Sequence, residues 1–223
     1  MIKTQLLVRR KPGMSLDEFG ECWLRIHASP AARVAGIARQ TVSIVRSERA
    51  RADAEWDGLA NTWWDSREAV AAARQSDSFG AMREDEAALF DDDIRKPLVV
   101  VEVNPLAPSL PPEPDPDLIK IVNPLHRLAA LGYDAFSAYW RGPHATLNAA
   151  LPHMNAYIQN HIHPDFRDED RACDGIAESW FRDWDEIRAL LASEANARLR
   201  EDEANLIVHG SLHPMVCREY RTV

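Results

Sequence analysis

The chain has 223 residues, 46% hydrophobic and 27% charged, which is enough apolar material for a substantial core and argues against wholesale disorder. Lys plus Arg number 26 against 35 for Asp plus Glu, a formal net charge of -9 that disfavours phosphate backbones and anionic lipid surfaces as partners. No apolar run is long enough for a membrane span or a secretory signal. Cys22, Cys173 and Cys217 are too scattered for a disulfide framework or zinc site, so a reducing cytoplasm is expected.

The predicted elements run as follows. Residues 2–10 alternate apolar with polar and end in Arg9-Arg10-Lys11, a strand. Pro12-Gly13 turns the chain, and Ser15 with Glu18 three residues on forms a capping box. Phe19, Trp23 and His27 follow at four-residue steps on one helix face. Strands are predicted over 37–46 and 58–65, the second opened by the turn signal Asp57-Gly58. A helical region over about 67–90 and a strand over 97–103 complete the order β-α-β-β-α-β, the ferredoxin-like unit.

Next comes PLAPSLPPEPDPD, with six of the 14 prolines between Pro105 and Pro116, which predicts an extended polyproline-like connector. A shift of 117 then superposes the chain on itself. Lys3 falls on Lys120, Phe19 on Phe136, Trp23 on Trp140, His27 on His144, Asp57-Gly58 on Asp174-Gly175 and Trp63 on Trp180. The run Arg83-Glu84-Asp85-Glu86-Ala87 falls on Arg200-Glu201-Asp202-Glu203-Ala204. Matching Trp and His are improbable by chance, so the chain reads as a duplication. The expected organisation is one repeat over 1–105, a proline-rich linker over 106–117 and a second repeat over 118–223. Second-repeat elements should begin near Leu118, Tyr133, Met154, Gly175, Trp184 and Leu212. The fold class is α+β. Each four-stranded antiparallel sheet leaves one face bare, and packing the two bare faces together would make an intramolecular pseudo-dimer.

Basic residues followed by Pro12-Gly13-Met14-Ser15-Leu16-Asp17-Glu18-Phe19, then Trp and His at four-residue steps, resemble the EthD-type branch of the dimeric α+β barrel superfamily. The second copy resembles it through Phe136 to His144, Leu151-Pro152, the Tyr157-Ile-Gln159-Asn-His161 stretch, Asp174-Gly175 to Trp180, and Glu201-Asp202-Glu203. The resemblance implies an intramolecular dimeric α+β barrel. It implies little about reaction, since that superfamily includes isomerases, cyclases, dehydratases, cofactor-free oxygenases and haem proteins.

Seven of the eight histidines lie in the second copy. On its second strand Tyr157, Gln159 and His161 share a face where the first copy has Gln40, Val42 and Ile44. If that face is buried, each polar group needs a partner, because an unpaired one costs about 1–3 kcal/mol. A pocket in the second copy is one account, and a solvated or interfacial strand is the other. His144 ends the Phe136–Trp140 face. It is either a general acid/base at a pocket walled by Trp140 and Trp180 or a buried histidine tying helix to strand. Glu178, beside Trp180, is either a carboxyl with a raised pKa or half of a salt bridge to an arginine. His161 and His163 have a spacing compatible with metal, but no third ligand is evident, and neither metal nor cofactor is expected. For Asp85 and Asp202, which recur at one helix position, a helix cap or an ion pair between copies is expected.

The favoured reading is a cofactor-independent enzyme performing acid/base elimination, dehydration or isomerisation on an aromatic or polyketide-like compound. His144, His161, Tyr157 and Glu178 are its candidate catalytic residues, and Trp140, Gln159 and Trp180 would bind substrate. A cofactor-free or haem-using oxygenase and a non-catalytic ligand-binding accessory protein are the alternatives. The partner is a small molecule rather than nucleic acid or membrane, and a homodimer beyond the pseudo-dimer is left open.

Overall fold

Strand alternation, visible in the sequence, sets the local structure of each half, and serine caps start several of its helices. The computed structural model describes residues 1–27, 31–51, 54–91, 97–105, 111–154, 156–167, 171–208 and 210–223, with the backbone alone at 26 and 27. The expected connector therefore lies partly outside the described residues, and so does the side chain of His27.

The chain divides into two compact units, Met1–Val100 with Cys217–Val223, and Val101–Val216. In the first, β1 (Ile2–Val8) leads into α1 (Leu16–Cys22), whose start is capped by Ser15 Oγ accepting from Glu18 N at 3.2 Å. A π-helical turn (Trp23–His27) continues α1, followed by β2 (Ile37–Val45) and β3 (Gly58–Trp64). Two helices, α2 (Arg67–Ala73) and α3 (Asp77–Leu89), precede β4 (Leu98–Val103). The predicted helix over 67–90 is thus broken, because the Ser76 hydroxyl accepts from Phe79 N at 3.2 Å and caps a new helix. The antiparallel ladder runs β4-β1-β3-β2, with Gln5 opposite both Asn61 and Leu98. Its far edge is extended by the C-terminal strand β8 (Met215–Arg221), which sets Cys217 opposite Val45 and Arg221 opposite Thr41.

In the second unit, β5 (Ile119–Leu125) precedes α4 (Tyr133–Tyr139), a π-helical turn (Trp140–His144) and α5 (Ala145–Ala149). Strands β6 (Ala156–Ile162) and β7 (Gly175–Phe181) follow, then α6 (Trp184–Leu191), α7 (Glu194–Asp202) and a 3-10 turn (Glu203–Asn205). The ladder is β5-β7-β6. Here too a serine at the matching repeat position, Ser193, starts a separate helix by accepting from Asn196 N at 3.1 Å. The last strand begins at Met215 rather than near Leu212; Pro214 has no N–H to give a ladder. Among the described residues no helix is long and apolar enough to cross a membrane.

Asp57-Gly58 and Asp174-Gly175 are not hairpin turns. Each glycine opens a strand against an indole ring. A Cβ on Gly58 would lie 2.6 Å from Cζ3 of Trp23, and one on Gly175 would lie 2.7 Å from Cζ3 of Trp140 and 3.1 Å from the Asn160 carbonyl oxygen. The preceding carboxylates tie down the end of the first strand of each repeat, accepting from Arg10 N at 2.8 Å and from Arg127 N at 2.9 Å. A Gly175→Ala substitution should therefore cost about 1–3 kcal/mol, the usual penalty for forcing a methyl group into a filled core. Urea denaturation monitored by tryptophan fluorescence would show it as a lowered midpoint.

Candidate active site

Between the sheet and the helices of the second unit lies a cavity of about 150 Å³. Its floor is Ile121, Asn123 and Leu125 of β5, Tyr157 of β6, and Ala177, Ser179 and Phe181 of β7. Trp140, His144, Leu199, Arg200, Glu203 and Leu206 are among the residues that enclose it.

The helix carrying Trp140 and His144 is shaped to aim both at the sheet. In an α-helix each four-residue step overshoots a full turn by about 40°, so Phe136, Trp140 and His144 would drift around the axis. The wider π turn over Trp140–His144 offsets that drift, and π turns are frequent at functional sites. Pro143, which lacks an N–H, suits this turn but is not required for it, since Trp23–His27 adopts the same form with Ile26 at that position. The turn leaves the Trp140 carbonyl to accept from Gln159 Nε2 at 2.8 Å.

His144 is buried, and its Nδ1 lies 2.8 Å from Asp202 Oδ2. Asp202 Oδ1 accepts from Tyr139 Oη at 2.5 Å. With a carboxylate on Nδ1, that nitrogen carries the ring proton and Nε2 keeps a lone pair. Burial pushes His144 below the ordinary histidine pKa, partly offset by the hydrogen bond and charge of Asp202. Burial pulls Asp202 upward, but hydrogen bonds from Tyr139 and His144 outweigh it and leave this carboxyl below its usual range. Among the described residues the Asp202 side chain pairs with Tyr139, His144 and Asn205, and so orients a histidine of its own repeat rather than capping a helix.

A second titratable group faces the same cavity. Burial raises the pKa of Glu203 against the opposing charge and hydrogen bond of Arg200, whose Nη1 lies 3.0 Å from the carboxylate. Tyr157 lines the floor and accepts from Trp140 Nε1 at 3.0 Å, and burial lifts its phenol to about 12, so it stays protonated.

His161 does not line the cavity. Its ring packs against Trp140 with centroids 4.4 Å apart and planes tilted by 46°, Nδ1 is 2.8 Å from Ser137 Oγ, and Nε2 is 3.0 Å from Gln159 Oε1. Arg141 Nη2 donates to Ser137 Oγ at 2.7 Å, so the bonds run in one direction: Arg141 to Ser137, Ser137 to His161, His161 to Gln159, and Gln159 to the Trp140 carbonyl. Burial, with the charges of Arg141 and Arg167, lowers the His161 pKa to about 3. His163 instead caps a 3-10 turn by accepting from Asp165 N at 3.3 Å, and among the described residues no group of three or more His, Cys, Asp or Glu side chains could hold a metal.

Glu178 and Trp180 are not brought to the cavity either. Strand alternation turns Ala177, Ser179 and Phe181 toward it and sends Glu178 and Trp180 to the opposite sheet face. There Glu178 pairs with Lys120 at 2.6 Å, both side chains 1% exposed, and accepts from Asn160 Nδ2 at 2.8 Å. Lys120 also lies over the Trp180 ring at 4.8 Å. The structure thus gathers His144, Tyr157 and Trp140 around the cavity, places Gln159 and His161 behind Trp140, and adds Asp202 and Glu203. The signal for those two was the Arg-Glu-Asp-Glu-Ala run, which recurs in both repeats and so read as scaffold.

This architecture is shared with several solved structures. An anthrone oxidase-like protein matches over 99% of this chain and 92% of its own, with 14% identity and a TM-score of 0.62. A monooxygenase candidate from Fusobacterium nucleatum matches over 98% and 91% at 7% identity and a TM-score of 0.62. A mutant chlorite dismutase from Candidatus Nitrospira defluvii matches over 99% and 92% at 12% identity and a TM-score of 0.54. At such identities the likeness concerns the fold: tandem ferredoxin-like repeats of the dimeric α+β barrel class. No curated protein matches the sequence significantly. The EthD domain model matches residues 11–93 and again 129–210, so the chain belongs to the EthD domain family, present as two tandem copies.

Two measurements check the roles of residues outside the cavity. Glu178→Ala strands the Lys120 charge in the interior and should cost about 3–5 kcal/mol in urea denaturation. In NMR titration the His161 ring should stay neutral down to pH 4.

Proposed function

We propose that this chain is a cofactor-independent enzyme that carries out acid/base elimination, dehydration or isomerisation on a small aromatic compound. The observation that carries the reading is His144. It lines the cavity with Nδ1 held by Asp202, and Nε2 has no protein partner among the described residues. A base oriented by a carboxylate is the arrangement general-base catalysis needs.

The groups divide the work as follows. Because Trp140 donates to the Tyr157 oxygen, the phenolic proton is available to a substrate carbonyl or developing oxyanion. His144 Nε2 removes the proton from the carbon next to that carbonyl, and Asp202 stabilises the imidazolium that forms. Passing that proton from the imidazolium to a departing hydroxyl breaks the C–O bond; a C=C bond forms and water leaves. If no hydroxyl departs, return of the proton from His144 to another carbon completes an isomerisation. His161 serves to hold Trp140, with both ring nitrogens engaged.

Haem, found in other members of the superfamily, does not fit these residues. A cavity of about 150 Å³ suits a benzene-sized molecule, far smaller than a porphyrin. No step is routed through it.

His144→Ala should lower kcat by roughly 10²–10⁴-fold on a hydroxylated aryl ketone that the wild type turns over. The base must be unprotonated, so kcat/KM should fall as pH drops through the depressed His144 pKa. Asp202→Asn removes the two effects that raise this pKa and should move the acid limb to still lower pH while reducing kcat. The same downward shift should appear in the His144 NMR titration without substrate. A folded His144→Ala protein with wild-type kcat rejects the mechanism, and stoichiometric oxygen uptake during turnover favours an oxygenase instead.

A further inference from the structure

A second cavity adjoins the first. It has a volume of about 220 Å³, and its lining includes Ala204, Val208 and Gly210. Arg200, Glu203, Ile207 and Leu212 line both cavities and so form the partition between them. The smaller chamber by the sheet has about the volume that holds benzene, and neither chamber alone reaches the roughly 300 Å³ at which ligand sites usually begin. Together they do.

We infer that the site takes a two-part substrate: one aromatic ring bearing a hydroxyl or carbonyl in the inner chamber, and an uncharged alkyl or acyl chain in the outer chamber. This deepens the reading of the inner cavity as a substrate site by naming the substrate class. The inner chamber fits the ring. Trp140 and Phe181 supply aromatic walls, while Tyr157, Ser179 and Asn123 put polar groups on the floor. Among the described residues the Ser179 and Asn123 side chains have no hydrogen-bond partner in the protein, which leaves them for a polar substituent. The outer chamber fits the chain, since Ala204, Ile207, Val208, Gly210 and Leu212 present apolar surface and, among the described residues that line it, Arg200 and Glu203 are the charged ones.

The partition has one firm side and one soft side. Ile207 is fixed by its bridge to Arg127, flanked by bonds from Leu128 N to Leu206 O at 3.1 Å and from Val208 N to His126 O at 2.9 Å. Arg200 is 58% exposed, and an ion pair so exposed is worth only about 0–1 kcal/mol, so its side chain can move aside at little cost. A flexible chain can thread past that rim. A rigid fused tricycle cannot straddle it, which sets the predicted substrate apart from polycyclic compounds and makes Arg200 and Ile207 the residues that select for it.

Binding alone tests this, with phenol, 4-ethylphenol, 4-butylphenol, 4-hexylphenol and anthrone as probes and isothermal titration calorimetry as the readout. Affinity should rise about fourfold per methylene, the equivalent of about 0.8 kcal/mol, until the outer chamber is filled, with anthrone weaker than 4-butylphenol. Ala204→Trp and Val208→Trp, both at exposed positions lining only the outer chamber, should flatten the series while leaving phenol affinity unchanged; phenol binding thus also reports that the variants are folded. A flat wild-type series, a slope that survives both variants, or anthrone binding tighter than 4-butylphenol overturns the inference. Because no turnover is involved, the chain-length series stands or falls separately from the acid/base mechanism. A preserved slope beside a fully active His144→Ala would remove only the chemistry.

Discussion

Trp140 is the piece around which the second unit is arranged. Its ring reaches the sheet only because position 175 has no side chain; a Cβ there would stand 2.7 Å from Cζ3. From that seat the indole packs at a tilt against His161, lies beside Phe136 with centroids 5.5 Å apart, and donates its N–H to Tyr157. Its carbonyl, left over by the π turn, is taken by Gln159. Four residues on, the same turn delivers His144 to the cavity wall. The wedge thus fixes the orientation of the phenol and the placement of the histidine together.

The first unit shows the same wedge without the surrounding polar set. Trp23 sits against Gly58 in the same way, and it packs edge-on to Phe90 with centroids 5.3 Å apart. Where the second unit has Ser137 and His161, the first has Gly20 and Ile44, and a Cβ on Gly20 would already meet Ile44 Cγ2 at 3.4 Å. Where Tyr157 faces the cavity, Gln40 turns its amide to Thr62 Oγ1 at 3.1 Å. In the first copy Ile44 sets aliphatic bulk where the second has a histidine. The second buries donors and acceptors, which is tolerable only because each is partnered along a directed chain that begins at Arg141.

The fold was largely legible in advance, because its signals are local and repeat themselves. Strand alternation and the Trp and His steps each have a counterpart 117 residues away. The broken helices were missed because Ser76 and Ser193 read as ordinary helix positions until their hydroxyls are seen to cap. The Asp-Gly pairs read as turns because their sequence is turn-like. Their actual reason, an indole pressed against the glycine, is a contact between distant residues.

Sequence alone determined the duplication, the α+β repeat, the apolar helix face ending in histidine, and the strand on which the two copies differ. Those follow from periodicity and self-comparison. Tertiary structure decided which of the singled-out side chains meet. Strand alternation sent Glu178 and Trp180 to the far face, and Ser137 and Gln159 engaged both ring nitrogens of His161 behind the cavity wall. Asp202, 58 positions along the chain from His144, became that histidine's partner. Nothing local in either segment encodes such a meeting. It exists only where two helices and a sheet pack around one tryptophan.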